Sequence, residues 1–73
     1  MNASEIQDAL QAVIDQLLNA RDRDDALGRV AEALDGVDRV RTYADAGLVT
    51  ADAGLVLRAR GGREFQVTII RSR

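Results

Sequence analysis

Residues 43–57 read YADAGLVTADAGLVL, and the hexapeptide ADAGLV occurs in them twice, at 44–49 and 51–56. A spacing of seven suits either a helical heptad or a turn and a short strand used twice. The heptad would place Gly47 and Gly54 inside a helix, where each glycine costs about 1 kcal/mol relative to alanine. A turn uses the same residues well: Asp offers local side-chain hydrogen bonds, and Gly accepts a positive φ at the turn's end. A calcium-binding β-roll would need several nonapeptide copies with more Gly and Asp. The spacing therefore predicts two like turns, 44–47 and 51–54, joined by a three-residue strand at 48–50. Folding back at each turn sets Tyr43 opposite Leu48, Val49 opposite Val56 and Leu48 opposite Leu57. Leucines then line one face of the ribbon and valines the other.

The chain continues in alternating pattern. Leu55-Val56-Leu57-Arg58-Ala59-Arg60 and Glu64-Phe65-Gln66-Val67-Thr68-Ile69 flank Gly61-Gly62, a hairpin signature. A two-residue loop would pair Leu57 with Gln66 and mix the faces. A three-residue loop, Gly61-Gly62-Arg63, restores them by setting Ala59 opposite Phe65, Leu57 opposite Val67 and Leu55 opposite Ile69. Phe65 is thereby assigned to the core. Upstream, residues 37–43 read as a first strand whose parity sends Tyr43 and Val40 to opposite faces, with a bulge as the way to reconcile them.

Before the strands come two amphipathic segments. Ser4 and Gln7 fit a capping box, and Ile6, Leu10, Val13, Ile14, Leu17 and Leu18 recur at steps of three and four. A second helix is predicted from Asp22 as N-cap, with Leu27, Val30, Ala31 and Leu34 as its buried stripe and Gly36 at the left-handed position after its end. The cluster Asp22, Asp24 and Asp25 reads as capping rather than as a calcium or magnesium site. The expected fold is α+β, one domain over 1–73 in the order α-α-β-β-β-β: helices about 4–19 and 22–35, strands about 37–43, 48–50, 55–60 and 64–71. Both helices are expected on one face of an antiparallel meander.

Composition narrows function by exclusion. Among 73 residues there is no His, Cys or Lys, and the serines are Ser4 and Ser72. Nucleophilic triads, acid–base pairs and zinc sites draw on those types, so the expectation is a non-enzyme with no catalytic residue, cofactor or metal. Without disulfides or a metal, a core this small supplies only ~3–5 kcal/mol, and a partner subunit is the remaining supplement. Residues 1–18 carry Glu5, Asp8 and Asp15 and lack a basic start, unlike a secretory signal. No apolar run is long enough to span a bilayer, so a cytoplasmic protein with no membrane partner is expected. All ten cations are arginine, read as a GC-rich coding bias and a bacterial or phage source.

Charge is divided. Residues 1–35 hold eight acids and three arginines, net −5, and residues 36–73 hold seven arginines and four acids, net +3. With the helices on one sheet face, the other face would be bare, with Val49, Val56, Thr68 and Ile70 along its middle and Arg58 and Arg60 at its rim. That predicts a small protein-interaction module, a homodimer formed through the open face or the edge of the last strand; a heterologous protein, as for a mobile-element-encoded inhibitor of a host protein, is the alternative partner. The second reading is nucleic-acid binding, since Arg58, Arg60, Arg63, Arg71 and Arg73 gather around one hairpin. The pattern DAGLV…GLVLRARGGREFQVTI resembles the end of a recognition helix and the wing of a winged-helix DNA-binding domain over residues 25–70, shorter than usual between Gly36 and Gly47. The resemblance implies a first helix at 25–34 and a recognition helix at 37–46. It would put Arg39, Arg41 and Thr42 in the major groove and Arg60 and Arg63 on the wing.

Overall fold

The computed structural model describes residues 1–21 and 25–72. The predicted N-cap Asp22, with Asp24, and the terminal Arg73 lie outside them. The N-terminal stripe forms helix α1, Ala3–Asn19. Its cap is Asn2 rather than Ser4: the Asn2 side chain accepts from the Glu5 N–H at 2.8 Å, and Ser4 falls inside the first turn. The helix stops at Ala20, whose N–H donates to the Leu17 carbonyl. Arg21 then donates from Nε to the Leu18 carbonyl at 3.3 Å and from Nη1 to the Val37 carbonyl at 2.7 Å. A cation there satisfies orphan carbonyls at the negative end of the helix and ties it to the first strand. Arg21→Ala is expected to lower unfolding stability by about 1–2 kcal/mol, measured as a fall in the urea midpoint at unchanged slope.

The second helix is shorter than the pattern suggests. Helix α2 spans Ala26–Ala31, and a single 3-10 turn covers Glu32–Leu34. Asp25 caps it by accepting from the Gly28 N–H at 3.0 Å. Its buried residues are Gly28 and Ala31, while Leu27 and Val30 are exposed. Small side chains let α2 lie close against α1; of the expected stripe Ala31 is buried and Leu34 half-buried, while Leu27 and Val30 face outward. Gly36, at φ 100°, makes the left-handed turn into the sheet.

Three antiparallel strands follow, β1 Val37–Thr42, β2 Ala53–Ala59 and β3 Glu64–Ile69, in the order β1-β2-β3. The architecture is α+β, with three strands rather than four. Residues 48–50 form no strand. The hairpin loop has three residues, as expected, but they are Arg60-Gly61-Gly62, closed by the Ala59 N–H donating to the Arg63 carbonyl at 2.8 Å. Two consecutive glycines at φ 79° and 80° provide the left-handed turn. The register consequently slips by two: Leu57 faces Phe65 and Leu55 faces Val67. A slip of two preserves side-chain parity, so the faces are those expected although the pairs are not.

One face carries Val40, Thr42, Leu55, Leu57, Phe65 and Val67; the other carries Arg39, Arg41, Gly54, Val56, Arg58, Gln66 and Thr68. A bulge between Val37 and Arg39 sets the parity of β1. Helix α1 covers the leucine face, lying chiefly over β1 and β2 and barely reaching β3. Val40 and Leu55 are buried beneath it, at 5% and 1% exposure. Helix α2 packs mainly on α1, and the two helices lie against the three-stranded antiparallel sheet, as expected.

The two copies of ADAGLV adopt different structures. The first is a turn: the Ala46 N–H donates to the Thr42 carbonyl, the Leu48 N–H donates to that of Tyr43, and Gly47 has φ 77°. The second bends at Ala51-Asp52 and then enters β2 at Ala53. Gly54 has no positive φ. Its missing side chain makes room for the Tyr43 ring, whose hydroxyl hydrogen-bonds Thr68 Oγ1 across the sheet at 2.6 Å. The Gly54 N–H donates to Gln7 Oε1 at 2.8 Å, joining α1 to the same spot. Tyr43→Phe removes the hydroxyl bond and keeps the ring, so a loss near 1 kcal/mol in denaturant unfolding is expected.

Candidate functional site

The sheet has a closed side and an open side. On the arginine face, Val56 is buried at 2% exposure, with Arg41 and Gln66 as its cross-strand neighbours. Arg41 reaches over β2 towards Glu64 on β3, Nη2 to Oε1 3.7 Å. Its Nε is buried without a hydrogen-bond partner. Thr68 is engaged by Tyr43. Long polar side chains and one ring therefore close this face over its single valine.

The predicted interface residues do not form one patch. Val56, Arg58 and Thr68 share the arginine face as expected, but Val56 is covered. Val49 is fully exposed in the coil at 48–50 and belongs to no strand. Arg60 sits in the hairpin turn and pairs with Asp35, Nη2 to Oδ1 2.9 Å. Ile70 lies past the end of β3, exposed.

The residues of the nucleic-acid reading scatter likewise. Arg39 is exposed on β1, paired in register with Arg58. Arg41 is half-buried, Arg60 is tied to Asp35 and Arg63 is exposed beside the loop. The segment expected as a recognition helix is strand β1 and the turn after it, so no helix stands before the wing and Arg39 and Arg41 project from a sheet.

The open side is the leucine face beyond α1. Phe65, expected in the core, is 56% exposed, and Val67 beside it is 42% exposed. No residue of α1 is fully buried. The flank formed by Ile6, Leu10 and Val13 stays exposed, while Ile14, Leu17 and Leu18 are half-buried. A cleft of about 80 Å³ lined by Met1, Ala3, Ile6, Ile69, Ile70 and Arg71 shows that the first turn of α1 borders the end of β3. At that end helix and strand share one apolar trough. The legible signal for it is the breadth of the α1 stripe, wider than one helix can bury on a three-stranded sheet.

Elsewhere an open polar depression is lined by Leu18, Arg21, Glu32, Asp35, Asp38 and Arg60. Among the described residues no group of three acidic side chains is placed to hold a metal ion, and no helix is long and apolar enough to cross a membrane. No protein-family model matches the chain, and no curated protein or solved structure matches it.

Proposed function

We propose that the protein is a small non-enzymatic interaction module that self-associates, with the trough between α1 and β3 as its docking surface and a second copy as its occupant. One observation carries this reading: Phe65 and Val67 on β3 and Ile6, Leu10 and Val13 on α1 all stay exposed in so small a domain, and Ile6 meets the end of β3 in one cleft. A contiguous apolar patch of several hundred Å² marks an interaction site on a soluble domain.

Size agrees. A folded chain of this mass exposes about 4,400 Å² by surface scaling, whereas this one exposes 5317 Å². The radius of gyration is 13.1 Å, against about 11 Å for a compact globule of this length. The thinnest dimension is 17 Å, little more than one helix on one sheet. A self-complementary surface fits a second copy because each apolar element finds its match in the same element turned by a twofold axis.

Sedimentation equilibrium tests the proposal. The expected mass is near twice 7.9 kDa at micromolar concentration, with a melting temperature that rises with protein concentration. A monomeric mass and a concentration-independent melting temperature up to several hundred micromolar would reject it.

A further inference from the structure

The two edges of the sheet differ, and the difference selects how two copies meet. The β1 edge is guarded: a bulge interrupts it between Val37 and Arg39, Asp38 and Arg39 are charged and exposed, and Arg21 already donates to the Val37 carbonyl. Bulges and charges are the usual devices against edge pairing. The β3 edge has neither defence beyond Glu64 at its start, and β3 pairs with β2 without a shift from Glu64 to Ile69.

Hydrogen-bond parity shows what that edge offers. The Tyr43 N–H donates to the Gly54 carbonyl, so Gly54, Val56 and Arg58 direct their peptide groups towards β1. Ala53, Leu55 and Leu57 therefore bond Ile69, Val67 and Phe65. The peptide groups of Glu64, Gln66 and Thr68 are left pointing away from the sheet. Above that row, on the α1 side, stand the exposed Phe65 and Val67.

We infer that two copies pair antiparallel along β3, with the twofold axis at Gln66, to make one continuous six-stranded sheet; the inference rests on the reading of the α1–β3 trough as a self-association surface. This register sets Gln66 against Gln66 of the second copy, Glu64 against Thr68, and Phe65 against Val67. Moving the axis to Val67 would oppose Arg63 and Arg71, and like charges directly across a ladder are unfavourable. The axis at Gln66 brings two Phe65 and two Val67 side chains together on the helix side of the joint. The first turn of α1 meets the far end of the same strand at Ile6 and Ile69, so edge and trough lie on one side of the joint.

The chain has no cysteine, so single cysteines report the geometry. Gln66→Cys places two sulfurs on directly opposed residues, about 5.5 Å apart at Cα, within disulfide reach. Mild oxidation is expected to give a covalent dimer. Arg39→Cys, on the same face at the other edge, is expected to stay monomeric on denaturing gels. Gln66→Pro removes an outward N–H that only a partner would use; dimer affinity should fall at least ~30-fold while the circular dichroism of the fold persists. A wild type that is dimeric by mass but cross-links at Arg39→Cys, or at neither position, overturns the edge pairing and leaves self-association standing. Gln66→Pro that dimerises like wild type also overturns it. A wild type that is monomeric by mass defeats the self-association reading itself.

Discussion

Gly54→Ala is expected to cost about 3 kcal/mol and leave the chain only marginally stable at 25 °C. A Cβ at this position would overlap the Tyr43 ring and stand 2.5 Å from the Val67 carbonyl oxygen. The carbonyl belongs to the neighbouring strand and cannot yield without breaking the ladder. The ring cannot yield without losing its Thr68 bond and uncovering the sheet end. Overpacking a well-filled site costs about 1–3 kcal/mol and sometimes more. A core of this size supplies only ~3–5 kcal/mol, so a loss near 3 kcal/mol exhausts most of it. Gly47→Ala is the matched control from the other copy of the repeat. Nothing lies within 4 Å of its added Cβ, and φ +77° is the sole obstacle, so a loss of about 1 kcal/mol is expected. Thermal and urea unfolding of the two variants measure the difference. Equal losses would show that the glycines serve one role, and that Tyr43 does not lie over Gly54.

Phe65→Asp is expected to abolish self-association while leaving the monomer folded. Phe65 is 56% exposed on the edge strand, so its replacement removes little from the core of one copy. In the paired state the same position is central, and a carboxylate there would be desolvated beside a second one. Truncating a central aromatic anchor costs 2 kcal/mol or more in binding, about 30-fold, and burying unpaired charge adds to it. Sedimentation should therefore show a monomer at concentrations where wild type is dimeric, with a folded circular dichroism spectrum. Arg58→Asp, on the opposite face and exposed, should leave the mass unchanged. Unaltered dimerisation of Phe65→Asp would remove the α1–β3 trough from consideration.

The breadth of the α1 stripe foretold a helix, but not which part of it the sheet would cover. Ile14, Leu17 and Leu18 are half-buried while Ile6, Leu10 and Val13 are not. That division depends on where α1 lies across the strands, over β1 and β2 rather than β3. The candidate interface was misplaced for the same reason. Parity correctly put Val56, Arg58 and Thr68 on one face, but it carried no information that Arg41 and Tyr43 would close that face. The expected fourth strand failed because three residues between two turns cannot compete with the seven-residue β2, which extends back through Ala53 and Gly54.

By itself the sequence determined what local periodicity and backbone stereochemistry control. The amphipathic run became a helix, the alternating runs became paired strands, Gly61-Gly62 became their turn, and Leu55 and Leu57 went to one face with Val56 on the other. Only the tertiary structure decided the register and the fate of the repeat. A slip of two residues conserves every side-chain face, so no hydrophobic pattern could register it; the loop closing on Ala59 and Arg63 chose it. The same six residues left Leu48 and Val49 exposed in one copy and made Leu55 and Val56 among the most buried in the other. The second copy has strands on both sides and a tyrosine over its glycine, whereas nothing lies within 4 Å of a side chain added at the first copy's Gly47.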